Sequence, residues 1–211
     1  MVNDRERAEQ DLRVIRSLME RATIYRAISA PTALCGAVLA IGTALFISKI
    51  EPRPRSFAVF WLIILVLVLA ANTLFVWREA TRAGRPFFSA SMNMAIRAVT
   101  PCLIIPAALT IWYLTTGYLG AQELLLVAIW IAFYGVALLS TSLFAPRSLV
   151  VLGWCFLISA LAIPVVASNA PEEISALELP NILMGVTFGG YHLIYALCTW
   201  RRKGAEESPD A

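Results

Sequence analysis

The sequence contains little charge, a single histidine and no recognisable catalytic motif. Only 15% of its 211 residues are charged, whereas soluble globular chains carry about 25%. It lacks the HExxH metal motif, the phosphate-binding GxxxxGK[ST] loop, the GxSxG nucleophile turn and any carboxylate pair placed for acid–base catalysis. The four cysteines, Cys35, Cys102, Cys155 and Cys198, form no close pair, which excludes a disulfide framework and a zinc-ribbon spacing. We therefore predict a protein that is not an enzyme and that holds no cofactor.

Hydrophobic residues make up 59% of the chain and are concentrated in long uncharged runs. A helix of about 20 residues crosses the roughly 30 Å hydrocarbon core of a bilayer. Six runs have this length: Thr32–Ile50, Phe57–Trp77, Ala98–Thr116, Leu124–Phe144, Leu149–Ala167 and Asn181–Trp200. The predicted fold is an all-α, polytopic membrane helical bundle with six transmembrane helices. This composition excludes a water-soluble enzyme and a disordered chain, and the net charge of +3 is too small to indicate a nucleic-acid partner.

The distribution of Lys and Arg predicts how the chain is oriented in the membrane. Of the 17 basic residues, 14 lie in segments on the same side as the N-terminus, and basic residues favour the cytoplasmic side. The first 30 residues mix five acids with six arginines, unlike a cleavable signal peptide, so we expect the first span to direct insertion. We predict a bacterial inner-membrane protein with both termini cytoplasmic. Its parts are a cytoplasmic helix (1–30), a six-helix transmembrane domain (31–200) and a cytoplasmic tail (201–211).

The segment before the first span, Asn3–Ser29, has the pattern of an amphipathic helix. Apolar residues recur on one face at helical spacing, and arginines lie on the other. The apolar face includes Leu12, Ile15, Met19 and Ala22. Two interpretations remain open: the helix lies along the membrane interface, or it docks a partner protein.

Spans one and six carry small residues about one helical turn apart. Such spacing lets two helix backbones approach closely within a membrane. The residues are Ala33, Ala37, Ala40 and Ala44 in span one, and Gly185 and Gly189 in span six. We predict that they are helix-packing surfaces, either against each other or in contact with a second copy.

His192 lies deep in span six, eight residues from Trp200, which is about 12 Å along the helix. In an α-helix it shares a face with the two glycines, so we expect it at a helix–helix contact. An interhelical hydrogen bond is the favoured role. The alternatives are an axial ligand to haem or another pigment, which would make His192 cofactor-binding, and a proton relay.

Few other polar groups lie within the predicted spans, and no charged residue lies well inside any of them. Ion-coupled transporters generally carry a buried charge, which lowers the expectation of such a transporter. A path for a small solute would be lined by the remaining polar groups, which include Asn72, Tyr134, Ser140, Thr141 and His192.

Three stretches of the chain resemble a group of small bacterial membrane proteins with six spans. They are DLRVIRSLMERATIYRAISAPTALCGAVLAIG, WREATRAGRPFFSASMNMAIRAVTPCLIIPAAL and NILMGVTFGGYHLIYALCTWRR. In that group an amphipathic DL..IR..MERA helix precedes the first span, and the last span carries FGG.H..Y/F before a basic tail. The second element is matched by Phe188, Gly189, Gly190, His192 and Tyr195. The resemblance implies a bacterial inner membrane and no established activity.

The leading functional hypothesis is a non-enzymatic accessory, scaffolding or signal-coupling subunit. It would act through its amphipathic helix and its small-residue helix faces. Its predicted surroundings are the lipid bilayer, a protein partner at the cytoplasmic face or within the membrane, or a second copy of the chain. The alternatives are a small-solute transporter or channel, and a haem- or pigment-carrying subunit that uses His192.

Overall fold

The computed structural model describes residues 7, 9–15, 30–49, 56–82, 84, 88, 90–116, 123–142, 145–171, 174 and 178–207. Most of these residues are helical, the others form turns, bends and short connections, and none of them lies in a strand. The predicted all-α class is therefore confirmed. A short helical segment, residues 9–15, precedes the six long apolar helices.

Six spans of sufficient length and hydrophobicity follow one another along the chain. The first five are α1 (Ala30–Ile47), α2 (Ser56–Arg82), α3 (Ala90–Thr116), α4 (Glu123–Ser140) and α5 (Arg147–Ser168). The sixth span, from Glu178 to Trp200, consists of α6 (Glu178–Met184), the π-helical segment π1 (Gly185–Tyr191) and the start of α7 (His192–Glu207). Because α1 begins and the sixth span ends on the same side of the bundle, we call this the terminal side and the other the far side.

The helix ends differ from the predicted span ends, and some helices are longer than predicted while one is shorter. α2 continues past Trp77 to Arg82, and α3 begins at Ala90 instead of Ala98. Hydrophobicity marks where a chain enters the bilayer, but residues such as Glu, Arg and Ala continue a helix readily beyond it. Conversely, α4 ends at Ser140 rather than Phe144. Turn hydrogen bonds follow, including the one from the Ala145 N–H to Thr141 O at 2.9 Å.

Helix packing is close along α4, α5, α1 and the sixth span. α4 and α5 form a tight antiparallel pair, and α1 packs against the sixth span. Phe156, Ile131 and Val127 are fully buried at the centre. α2 contacts α1, and α3 contacts α4, but α2 and α3 touch each other at few positions.

The sixth span changes its hydrogen-bond register at π1, which the sequence analysis did not predict. The segment Gly185–Tyr191 has the sequence GVTFGGY. Glycine is a poor α-helix former, and π-turns are rare and often occur at functional sites. At the end of π1 the His192 backbone N–H bonds to Gly189 O.

The predicted amphipathic helix is described only in part. Leu12 and Ile15 lie in the helical residues 9–15, and their side chains are 65% and 53% exposed. Met19 and Ala22 lie outside the described residues.

Candidate functional site

The structure brings the two predicted small-residue surfaces together. Ala33, Ala37 and Ala40 of α1 are buried. A Cβ atom placed on Gly185 would lie 2.7 Å from Ala44 Cβ, and one placed on Gly189 would lie 2.5 Å from Ile41 Cγ1. Real carbon atoms do not approach so closely, so glycine at these two positions allows the backbones of α1 and the sixth span to pack as they do.

A second glycine contact, between α4 and α5, was not predicted. A Cβ on Gly135 would lie 2.9 Å from Gly153 O and 3.0 Å from Leu157 N, both of which are backbone atoms. The sequence does contain a signal for this contact. Gly135 lies five residues before the end of α4 and Gly153 six residues after the start of α5, so an antiparallel hairpin places them at the same depth.

Asn181 joins the sixth span to α1 near the far side. Its amide nitrogen donates a hydrogen bond to Ala44 O at 2.7 Å. Its side-chain oxygen is buried and has no partner among the described residues. The contact therefore uses the amide nitrogen of Asn181 and not its side-chain oxygen.

His192 forms a hydrogen bond between the sixth span and α4. The ring Nδ1 lies 2.8 Å from Phe188 O, and because a carbonyl can only accept, Nδ1 carries the proton. The other ring nitrogen, Nε2, then accepts the hydroxyl of Tyr134 at 2.7 Å. Gly185 and Gly189 contact α1, whereas the His192 ring reaches α4, so the structure does not keep the three residues on one contact surface as a continuous α-helix would.

This arrangement bears on the cofactor hypothesis for His192. Both ring nitrogens are already hydrogen-bonded. His192 could therefore coordinate an iron or magnesium ion through Nε2 only after its hydrogen bond to Tyr134 is broken. Across the described ranges, no three His, Cys, Asp or Glu side chains converge where they could hold a metal ion.

An aromatic cluster surrounds the Tyr134–His192 pair. The Phe156 ring lies edge-on to Tyr134, with centroids 4.7 Å apart, and Phe188 lies 5.0 Å from both Tyr134 and Phe156. Tyr191 packs edge-on against Phe156, and its hydroxyl lies 2.7 Å from the Ser159 hydroxyl. Edge-on ring contacts of this kind hold side chains in fixed orientations. The cluster therefore fixes the position of the imidazole.

A cavity of about 290 Å³ lies beside this pair, between α2 and the rest of the bundle. One face of α4 forms a wall, from Leu126 at the far side to Thr141 at the terminal side. Leu126 and Thr141 are 15 positions apart, which corresponds to about 22 Å along a helix. The facing wall is one side of α2, and α1, α3 and the sixth span contribute the remaining wall residues.

Four of the five residues predicted to line a solute path are in the walls of this cavity. They are Asn72, Tyr134, Thr141 and His192. The fifth, Ser140, is not in its wall, and its hydroxyl donates to Ala137 O at 2.7 Å. Most polar groups of this wall could thus be predicted from their depth in the spans alone.

Two tryptophans line the cavity, and neither was predicted. The indole N–H of Trp130 donates to the Thr110 hydroxyl at 2.9 Å, and that hydroxyl donates to Pro106 O. Trp61 is only 8% exposed, yet its indole N–H has no partner among the described residues. Buried donors are almost always hydrogen-bonded, so Trp61 is the exceptional group in the cavity wall.

The fold and its six apolar spans define a multi-pass α-helical integral membrane protein. Compared with known proteins, the chain matches no family model, no curated protein and no solved structure. The resemblance to bacterial six-span proteins therefore stays a prediction.

Proposed function

We propose that this membrane protein binds a small, largely apolar molecule inside its bundle and acts as a small-solute transporter or channel. The observation that carries the proposal is the cavity of about 290 Å³ whose wall contains Asn72, Tyr134, Thr141 and His192. Binding pockets for small molecules are mostly apolar, with a few polar groups that orient the ligand. Because of this cavity, we favour the transporter alternative over the accessory-subunit hypothesis.

The composition of the cavity wall supports binding without catalysis. Among the described residues that line it there is no Asp, Glu, Lys, Arg or Cys. General acid–base and nucleophilic catalysis draw on such groups, on histidine or on an activated Ser, Thr or Tyr hydroxyl, and the hydroxyls of Thr110, Tyr134 and Thr141 in this wall are already hydrogen-bonded. The one histidine in the wall is engaged through both ring nitrogens. We therefore propose a non-enzymatic protein.

Two glycines of α1 offer a matched pair of variants that tests the proposal. Gly36 lines the cavity, and a Cβ there would make an ordinary contact, 3.7 Å from Val68 Cγ1. Gly42 is exposed, with no neighbour within 4 Å of its Cβ position. Gly36→Phe fills the cavity with a ring, whereas Gly42→Phe adds the same ring on the outside of the same helix.

The measurement is native mass spectrometry of protein extracted gently from its own membranes, followed by flux of the identified molecule in reconstituted vesicles. We expect a small-molecule adduct in the wild type and in Gly42→Phe that is absent from Gly36→Phe, with flux lost in parallel. An empty wild-type protein, or an adduct retained by Gly36→Phe, contradicts the proposal.

The accessory-subunit hypothesis is the second candidate, and one observation favours it. Leu12 and Ile15 expose more than half of their side chains on the helical residues 9–15. Ile15→Arg would place a charge in this apolar face, while Arg13→Gln alters a neighbouring residue of the predicted polar face. If a protein partner co-purifies, we expect the first variant alone to release it. Retention by Ile15→Arg removes the docking role.

We further propose a bacterial inner membrane with both termini in the cytoplasm. Support comes from the 14 of 17 basic residues that lie in segments on the side of the N-terminus. Reporter fusions at both termini test the orientation: a reporter active only in the cytoplasm should work at each end, and activity of a periplasmic reporter at either end would reverse the assignment.

A further inference from the structure

Asn72 is a polar residue within α2, which is the most apolar of the six spans. It lies five residues before Trp77, which is about 8 Å along the helix. Its side-chain amide forms no hydrogen bond in the part of the chain that the structure describes. Hydrocarbon offers an amide no hydrogen bonds, so a group at this depth is costly unless another molecule completes it.

A molecule inside the cavity can reach the amide of Asn72. The residue lines the cavity, and its side chain is partly exposed. Neither its Nδ2 nor its Oδ1 is among the buried atoms without a partner in the described residues, whereas the indole nitrogen of Trp61 is. The two residues therefore differ: the protein encloses the Trp61 N–H, but it leaves the amide of Asn72 open to a ligand.

Asn72 lies on the face of α2 that is turned towards the bundle. At 100° per residue, Leu65 and Val68 are within about 40° of it on the helix, and both line the cavity. Val68 Cγ1 lies 3.7 Å from the Cβ position of Gly36 on α1. Polar groups inside membrane spans generally face a bundle interior or a cavity, where they mark binding sites and solute paths.

The packing of α2 leaves Asn72 accessible from one side of the membrane. The buried residues of this helix are Phe57, Ala58 and Trp61, all at its far-side end, and no residue of α2 from Leu62 onwards is buried. Asn72 lies 11 residues beyond Trp61, in the loosely packed part. A molecule dissolved in the bilayer can therefore approach it from the leaflet on the terminal side without passing the packed end.

The amide and the wall around it together define the chemistry of the group that fits. An asparagine amide donates through Nδ2 and accepts through Oδ1, so a group that both donates and accepts completes more of it than a pure acceptor does. No described residue of the cavity wall is charged. An ionised group there would lose its hydration without gaining a partner of opposite charge, which is strongly unfavourable.

We propose that Asn72 binds the polar group of an uncharged, bilayer-soluble molecule inside the cavity, and that this group both donates and accepts hydrogen bonds, as a carboxamide or a hydroxyl does. The molecule enters from the leaflet on the terminal side. This inference rests on the proposed function, because it names the ligand class of the same cavity. It adds a specificity residue, Asn72, and a direction of entry.

The test compares three probes that share one hydrocarbon chain and differ in the group at its end. Dodecanamide donates and accepts, N,N-dimethyldodecanamide only accepts, and dodecane does neither. Each is titrated into the full-length protein in lipid nanodiscs, and the adducts are quantified by native mass spectrometry. We expect the wild type to bind dodecanamide most tightly and dodecane least tightly.

Asn72→Leu keeps the size of the side chain and removes both polar atoms. We expect it to bind dodecanamide about tenfold more weakly than the wild type, which corresponds to two hydrogen bonds of the strength found in membrane bundles, and to bind dodecane equally. The control is Thr73→Val. Thr73 does not line the cavity, and its hydroxyl donates to Leu69 O, so this variant should bind dodecanamide like the wild type.

Unfolding without any probe distinguishes ligand binding from a structural role of Asn72. The amide has no partner within the described protein, so we expect Asn72→Leu to be at least as stable as the wild type in mixed micelles. A variant that is clearly less stable would show that Asn72 holds the bundle together, and it would contradict the proposal.

The outcomes also separate this inference from the proposed function. If Asn72→Leu binds dodecanamide as tightly as the wild type does, or if the wild type does not prefer dodecanamide to its dimethyl derivative, only this inference fails. A water molecule that completes the amide would give that result. If no probe binds the wild type, or if Gly36→Phe binds all three unchanged, the cavity is not a binding site and the proposed function fails with it.

Discussion

The spans of this protein fall into two groups that differ in packing although all six are strongly apolar. In the most apolar 18-residue stretch of each, 44% of residues are buried in α4 and 33% in α1, α5 and the sixth span. The corresponding values are 6% in α2 and 11% in α3. α2 and α3 contain no glycine, whereas every span of the first group contains at least one. Within a membrane, hydrophobicity positions a helix in the bilayer, and small residues such as glycine favour its close packing against another helix.

The two groups should differ most in the free energy of unfolding that is lost when one apolar side chain of each is truncated. Phe156→Ala removes a fully buried ring from the centre of the aromatic cluster, and we expect a loss of about 3 kcal/mol in the free energy of unfolding. Val66→Ala removes methyl groups from an α2 side chain that is 63% exposed, and we expect a change within about 0.5 kcal/mol. Reversible unfolding in mixed micelles measures both. Equal losses would show that α2 packs as tightly as α5.

The glycine contact between α4 and α5 is expected to give the next largest effect. Gly135→Ala forces a Cβ to within 3.0 Å of two backbone atoms, Gly153 O and Leu157 N, and backbone atoms cannot rotate away. We expect a loss of about 2 kcal/mol. Gly190→Ala is the matched control, since its Cβ meets nothing within 4 Å. If both variants unfold at the same denaturant concentration, the close approach of the two helices is absent.

The contact between α1 and the sixth span allows a compensating pair of substitutions. Gly185→Ala alone places two Cβ atoms 2.7 Å apart, and we expect it to cost about 1 to 2 kcal/mol. Ala44→Gly removes the opposing carbon, so the double variant should be more stable than the sum of the single effects predicts. A double-mutant cycle in the same unfolding assay measures this coupling. Strict additivity would mean that the two carbons do not meet.

The smallest expected effect is the loss of the hydrogen bond between Tyr134 and His192. Tyr134→Phe retains the ring in the aromatic cluster and removes the hydroxyl that lies 2.7 Å from Nε2. Side-chain hydrogen bonds in membrane bundles contribute about 0.6 kcal/mol on average, and we expect a loss of that size. A loss several times larger would indicate that burial makes this hydrogen bond stronger than the average side-chain bond in a membrane bundle.

Much of the fold could be predicted from the sequence because span length and hydrophobicity are local properties. The six helices, and the four polar residues that meet in the cavity wall, follow from the depth of each residue in the bilayer. The cavity itself could not be predicted from the depth of these residues. It depends on how far α2 stands from α4, and no motif within either helix specifies this distance.

Two site residues were missed for a different physical reason. Trp61 and Trp130 have the same side chain and line the same cavity, yet only Trp130 has a partner. That difference arises because Thr110, on α3, is positioned against one of them. Partnerships between distant helices cannot be derived from spacing within a single helix.

The π-helical segment has a consequence for how chains of this kind can diverge. Its wider turn accommodates about one residue more than an α-helical turn, so the residues after it are rotated by roughly 100° from where an unbroken α-helix would place them. Tyr195 and Ala196, both buried, depend on that rotation. Loss of a single residue from π1 would turn the last part of the span to a different neighbour without changing any side chain. At this point in the protein, the number of residues carries structural information that their identities do not.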